Sequence, residues 1–280
     1  MIIVADSGST KTDWAIVGKE VSMVQSIGLN PFFFTDEQLE KTIYEALKEV
    51  DASSVEGIYF YGSGCGLESN KEKLRVCFRK LFPAAKDVVV DTDLVGAAIA
   101  LYGNETGIAC ILGTGANAGI FNGTTITKTP NSLGYMLGDN GSGSVLGLEL
   151  LKLYLHGFLP ASIAADLEDK YDVQYKSILE NVYKKDRPNR YFASFSPFVS
   201  AHQEEEPIKT MLHDQFSEFF RYFIMPFEKA EGGNLPVRII GSVGYYYRPV
   251  IEKVAAEYGL TIDKIALKPI DLLVEHHSKK

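Results

Sequence analysis

MIIVADSGSTKTDWAIV, residues 1–17, is an apolar run that stops at an acid and a cluster of glycine and hydroxyl residues before a second apolar run begins. Residues 2–5 and 14–17 have the apolar and β-branched character of strands, and the turn formers between them read as a β-hairpin. A loop of small residues lets backbone N–H groups approach an anion closely, and Ser and Thr hydroxyls add donors. DSGSTKT is therefore a candidate phosphate cradle, with Ser9 and Thr10 as donors and Lys11 adding positive charge. It lacks the GxxxxGK[ST] pattern and precedes a strand, so P-loop geometry is not expected. A tight turn that needs glycine only for its conformation is the simpler account of any one such segment.

The pattern returns, however. TGIACILGTGANAGIFNG (106–123) is again a strand, a small-residue turn and a strand, and PVRIIGSVG (236–244) ends a third apolar run in a Gly-Ser turn. Two such hairpins about 100 residues apart imply an internal duplication with a boundary near residues 102–106. Between them, DEQLEKTIYEALKEV (36–50) sets Leu39, Ile43, Ala46, Leu47 and Val50 at helical spacing behind Thr35 or Asp36 as N-cap. VEGIYFYGSG (55–64) reads as a strand and NKEKLRVCFRKLF (70–82) as a helix. DVVVDTD (87–93) reads as a strand ending in carboxylates. NSLGYMLGDNGSGSVLG (131–147) leads into a helix at 144–156, and a largely helical stretch runs on to about 230. Strands alternating with helices imply α/β layers. With 280 residues, 46% of them hydrophobic, two domains are expected, 1–105 and 106–280, the second with a helical insertion.

Composition excludes several functions. The net charge is −8 and Lys and Arg form no stripe, so neither nucleic acid nor an anionic membrane is an expected partner. KKDRPNR (184–190), the densest basic stretch, reads as a solvated loop. Cys65, Cys77 and Cys110 are odd in number and lack CxxC spacing, which suggests neither disulfides nor zinc and points to reduced thiols in cytoplasm. The apolar run before Asp6 is too short for a signal peptide or a membrane span, so neither export nor anchoring is expected. His276 and His277 read as part of a solvated tail, and His156, His202 and His213 have no ligand spacing.

Asp93 ends a strand where DLVGAAIALY begins a helix, a position that faces a crevice in α/β sheets. A helix N-cap is its structural alternative, and Asp91 is the neighbouring candidate acid.

The order DSGSTKT, DTD, LGTGAN, GDNGSG, GSV resembles the N-acetylglucosamine kinase and BadF/BadG ATPase group of the acetate kinase, hexokinase, actin and heat-shock ATPase superfamily. The resemblance runs to about residue 250 and is most specific in these five motifs. It implies an α/β fold of two ribonuclease H-like (actin-like ATPase) domains around a central cleft. It also implies an ATP-dependent sugar kinase using Mg²⁺, with N-acetylglucosamine as first and glucosamine as second substrate, phosphorylated at the 6-position. Carried over to this chain, Asp93 is the catalytic acid and Asp6 faces the metal through water. Ser9, Thr10, Lys11, Gly113, Thr114, Gly115, Gly241 and Ser242 hold ATP, while Asn30, Asn117, Gly134 and Asp139 hold the sugar, with Phe32 near Asn30. The implied partners are a small-molecule sugar and ATP. A homodimer is compatible with the apolar content, although no segment announces an interface.

Two departures stand out. The group usually reads DGGGT, and Ser7 and Ser9 here replace two glycines, which is tolerable where neither residue needs positive φ. The usual Gly/Ala-rich last helix is not evident after residue 260, where IALKPIDLLVEHHSKK takes its place. Two rival readings remain: a BadF-type ATPase, which needs paired thiolates for a shared iron–sulfur cluster, and a sensor that binds sugar and nucleotide without transfer.

Overall fold

The opening hairpin forms in the computed structural model, which describes residues 1–231 and 235–279. Strands β1 (Ile2–Ser7) and β2 (Lys11–Val17) pair antiparallel, and β3 (Val21–Ile27) pairs antiparallel with β2. On the other side of β1, β4 (Gly57–Gly62) and β5 (Asp87–Thr92) run parallel to it and to each other, in the order β3-β2-β1-β4-β5. Ile3, Val4 and Ala5 are wholly buried because β1 is central and covered on both faces. Trp14 anchors one face, its ring 6.0 Å from Phe60 and 6.2 Å from Phe78.

Helix α1 (Asp36–Leu47) covers this face with Leu39, Ile43 and Leu47. Of the two candidate caps, Thr35 is the one used: its hydroxyl accepts from Gln38 N, and Gln38 Oε1 accepts from Thr35 N at 2.9 Å. Helix α2 (Glu68–Leu81) follows β4, and α3 (Asp93–Tyr102) follows β5 directly.

The second sheet repeats the first. It is built from β6 (Thr106–Leu112), β7 (Ala116–Asn122), β8 (Ile126–Lys128), β9 (Val237–Ile240) and β10 (Ile262–Ala266), in the order β10-β9-β6-β7-β8. Read from β8, this is the order of β3-β2-β1-β4-β5. β7 and β8 are antiparallel like β2 and β3, and β9 and β10 are parallel like β4 and β5. Both sheets thus have the ribonuclease H-like arrangement, and the fold is that of two actin-like ATPase domains. Helix α4 (Gly143–Leu155) and a run of short helices from Ala161 to Glu231 separate β8 from β9. Of the basic stretch at 184–190, residues 184–187 connect helix Tyr175–Tyr183 to helix Pro188–Ala193, and the last three begin that second helix.

The chain divides into two compact units, Met1–Ala109 with Gly119–Lys128 and Lys268–Lys280, and Cys110–Ala118 with Thr129–Leu267. Where a single cut after residue 105 was expected, the division is interleaved, because the C-terminal segment returns to the first unit. That segment is a helix, α5 (Pro269–Ser278), and not the solvated tail read from its two histidines. Ile270, Leu273 and His277 recur on one helical face and are buried, and α5 packs on α3, β1 and β2. His277 stacks on Tyr59 at 4.0 Å, and its Nε2 lies 3.0 Å from the Tyr61 hydroxyl. Adjacent residues on a helix point about 100° apart, so one histidine of a pair can be core while its neighbour is not. Among the described residues no helix is long and apolar enough to cross a membrane.

Candidate active site

The predicted residues gather into two constellations, one in each unit. In the first, Gly8 N donates to Lys11 O at 3.0 Å, closing the turn between β1 and β2. The segment after β3 lies flush on this turn. Gly28 N donates to Thr10 O at 3.0 Å, and a Cβ at Gly28 would come 2.3 Å from Gly8 O, so only glycine fits. Ser7 Oγ, wholly buried, accepts from Leu29 N at 3.0 Å and lies 3.2 Å from Leu29 O and 2.8 Å from Thr12 Oγ1. Neither Ser7 nor Ser9 has positive φ, so the loop tolerates both. Ser7 gains a role that glycine lacks: its hydroxyl fastens the backbone just before Asn30.

Asn30 is thereby held beside the first turn. Its Oδ1 accepts from Phe32 N at 3.0 Å and nests against Gly64, where a Cβ would lie 2.0 Å away. Gly64, at φ +83°, is a neighbour of the candidate residue Asn30 that sequence reasoning missed. The YGSG run that ends β4 was its signal, since it repeats the Gly-Ser pattern that ends β9.

The acids of this unit are not equivalent. Asp91 is engaged, its Oδ1 2.7 Å from Lys71 Nζ. Thr92 is the N-cap of α3, with its hydroxyl accepting from Val95 N, so the capping role considered for Asp93 belongs to its neighbour. Asp93 occupies the first helical position, and one of its oxygens accepts from Leu94 N at 2.9 Å. A carboxylate there is also favoured by the helix dipole. On β1, burial first and then the nearby charges of Asp93 and Asp13 together push Asp6 up to about 7, against the opposing charge of Lys11. Lys11 itself pairs with Asp13 at 2.9 Å, so its charge is partly spent within the sheet.

The second constellation is built on the turn between β6 and β7. Gly113 N donates to Gly115 O at 3.0 Å. The start of α4 holds the same turn, with Gly143 N donating to Gly113 O at 2.8 Å and Ser144 N to Thr114 O at 3.1 Å. Ser142 caps α4, and its hydroxyl lies 2.9 Å from that of Ser144, both wholly buried. Sequence reasoning passed over these two serines, although GDNGSGS before an apolar helix is a capping signal.

The third glycine turn closes onto the second. Gly241 has φ +126°, and a Cβ there would lie 2.3 Å from Leu112 O, so the backbones of the LGTG and GSVG motifs touch. Ser242 follows as the exposed first residue of helix Ser242–Tyr246. Asp139 joins the group from the GDNGS loop: Oδ1 accepts from Ala116 N at 3.3 Å, and burial raises its pKa. It holds φ +55°, a conformation that costs about 1 kcal/mol or more in a residue other than glycine and is concentrated at functional sites. Asn117 Oδ1 accepts from Ala118 N at 2.9 Å and from Thr129 Oγ1 at 3.3 Å. Gly134, at φ +67°, begins the short helix Gly134–Leu137, and a Cβ there would meet nothing within 4 Å.

The structure most informative for this arrangement is that of a provisionally named N-acetylglucosamine kinase from Porphyromonas gingivalis. It is 35% identical over 100% of this chain and 99% of that one, with a TM-score of 0.93. The chain belongs to the N-acetylglucosamine kinase and BadF/BadG ATPase family. Two more distant structures share the fold. A provisionally named N-acetylglucosamine kinase from Chromobacterium violaceum is 18% identical over 98% of each chain, with a TM-score of 0.72. MreB5 of Spiroplasma citri, solved with ADP, is 13% identical over 99% of this chain and 95% of that one, with a TM-score of 0.60. No protein-family model and no curated protein sequence matches the chain.

Two glycines of the family motifs differ in what the fold demands of them. Gly241→Ala is expected to destabilise the protein by about 3 kcal/mol or more, because its Cβ meets backbone and its φ disfavours any side chain. Gly113 has neither constraint: its φ is not positive and a Cβ would meet nothing within 4 Å. Gly113→Ala should therefore change stability by less than about 1 kcal/mol, as read by urea denaturation of both variants. Equal destabilisation by the two substitutions would contradict this division.

Proposed function

We propose that this protein is an ATP-dependent sugar kinase that transfers the γ-phosphate to a hydroxyl of an amino sugar, N-acetylglucosamine first, giving the 6-phosphate. The observation that carries the proposal is the position of Asp93 at the start of α3, directly after β5, where its charge acts on Asp6, while Thr92 caps the helix and Lys71 pairs with Asp91. A sugar hydroxyl is a weak nucleophile, and a carboxylate within about 2.6 to 3.2 Å is needed to orient it and take its proton as the bond to phosphorus forms. Asp93 is assigned that step. Asn30, Asn117, Gly134 and Asp139 are assigned to the sugar.

The nucleotide phosphates are assigned to Ser9, Thr10 and Lys11 on the first turn and to Gly113, Thr114 and Gly115 on the second, with Gly241 and Ser242 beside the nucleoside. Gly113 supports this assignment, since among the described residues a Cβ there would meet nothing within 4 Å. Magnesium usually keeps several waters and binds through one or two carboxylates plus substrate phosphates. Asp6 fits that role, because a cation beside it would relieve the repulsion from Asp93 and Asp13. When bound with the nucleotide, Mg²⁺ would neutralise charge on the transferring group. Three buried cysteines, none in a disulfide, fit a cytoplasmic setting. They also weigh against the iron–sulfur reading, since burial pushes the Cys65 thiol up to about 12 and a cluster needs thiolates.

The test is ATP consumption with Mg²⁺ in the presence of N-acetylglucosamine, glucosamine, N-acetylmuramic acid, glucose or no sugar. Turnover that depends on an amino sugar is the expected result. Turnover indifferent to every sugar would favour the ATPase reading, and sugar binding without turnover the sensor.

A further inference from the structure

Each of the two sheets ends in two edge strands: β3 and β5 in the first, β8 and β10 in the second. An edge strand offers unpaired N–H and C=O groups to any second strand, and proteins blunt edges with charge, proline, irregularity or short length. β5 carries Asp87 and Asp91, β10 carries Asp263, Lys264 and a register shift, and β8 is three residues long. β3, VSMVQSI at 21–27, has none of these devices. Its seven residues include no charge and no proline, and its register against β2 is unbroken. Val21, Met23 and Ile27 are each about half exposed, at 52%, 49% and 53%.

We propose that β3 is a dimerisation edge, pairing antiparallel with β3 of a second copy about a two-fold axis through Val24. Such an axis demands self-complementarity, because residue i must face j while j faces i. Around Val24 the strand is close to a palindrome: Val21 meets Ile27, Ser22 meets Ser26, Met23 meets Gln25, and Val24 meets its own copy. β-branched residues therefore face β-branched, hydroxyls face hydroxyls, and long unbranched chains face each other, pairings that stabilise antiparallel sheets. No like charges are brought together.

Hydrogen-bond parity selects the same register. Gly28 N donates to Thr10 O one step beyond the Lys11–Ile27 pair, so the even-numbered residues of β3 bond to β2. The N–H and C=O groups of Val21, Met23 and Gln25 consequently point outward, whereas Ile27 O accepts from the hydroxyls of Thr12 and Ser26, each at 3.1 Å. An axis at Val24 joins odd with odd, and about six intermolecular hydrogen bonds form. A seven-residue strand spans only about 23 Å, so the interface is small and a dissociation constant on the order of micromolar is expected.

Sedimentation of the full chain over a concentration series tests the proposal, with a monomer–dimer equilibrium as the expected result. Met23→Lys, which adds the charge that natural edges use, should weaken association at least about tenfold while leaving the melting temperature unchanged. Val24→Cys should form a disulfide-linked dimer under mild oxidation, because Cα atoms opposed in a non-hydrogen-bonded pair lie about 4.5 Å apart. Met23→Cys, whose partner is Gln25, should not. A chain that stays monomeric to about 100 µM, far above the expected dissociation constant, would overturn the proposal. So would a dimer indifferent to Met23→Lys, or equal cross-linking of the two cysteine variants.

Discussion

Asp93→Asn is expected to lower sugar-dependent ATP turnover by about 10²- to 10⁴-fold, the range that a positioned general base contributes. Asparagine keeps the shape of the side chain and an oxygen to accept from Leu94 N, so the start of α3 should survive. Thr92 still caps the helix. The loss should fall on kcat, with the apparent affinity for sugar little changed, because what is removed is a proton acceptor. Asp91→Asn is the matched control. It breaks the ion pair with Lys71, a pair with side chains 18% and 31% exposed, and should cost some stability but at most a few-fold in turnover. Steady-state kinetics on both variants decide the matter, and equal losses in the two would remove Asp93 from the role assigned to it. Because the Asp93 charge also raises Asp6, the variant should lower the pH at which Asp6 ionises, visible by NMR titration.

Asp6→Asn is expected to act in opposite directions on stability and activity. Asp6 titrates at about 7 in the fold against 3.8 as a free side chain, so between those values the folded protein holds a proton that the unfolded chain releases. Its contribution to stability is fully present below about pH 4 and is lost as pH rises through 7. Each tenfold in proton affinity is worth about 1.4 kcal/mol, which gives a ceiling of about 4 kcal/mol at pH 8 and above. Asparagine carries no charge at any pH and escapes this loss. The variant should therefore be more stable than the parent at pH 8, with the difference shrinking toward pH 5. Denaturant unfolding at the two pH values checks this, and a variant less stable at both would contradict it.

The same substitution should cost most of the Mg²⁺-dependent turnover. Mg²⁺ with nucleotide should raise the melting temperature of the parent at pH 8 more than that of Asp6→Asn, since a bound cation relieves the repulsion that the parent alone experiences. A buried acid kept under electrostatic strain is a familiar trade of stability for function.

Much of this was readable before any coordinates. Hairpin turns, strand alternation and helical spacing are properties of residues within a few positions of one another, and they located β1, β2, β4 to β7, α1 to α4 and the three glycine turns within a few residues. The duplication was readable for the same reason, as a local pattern that occurs twice. Lys71 on Asp91, Ser7 on Leu29, Gly64 on Asn30 and Gly241 on Leu112 were not. These contacts join positions 20 to well over 100 residues apart, and side-chain direction, which one-dimensional spacing does not carry, decides them. The C-terminal helix shows the same division. Its apolar period was present in PIDLLVEHH, but whether His277 lay in water or against Tyr59 depended on a β4 surface more than 200 residues earlier in the chain. Local pattern thus dictated the elements and the order of the motifs. Packing between distant segments gave each acid its burial and partners and each glycine its steric limits, because burial and partner charge exist only once those segments meet.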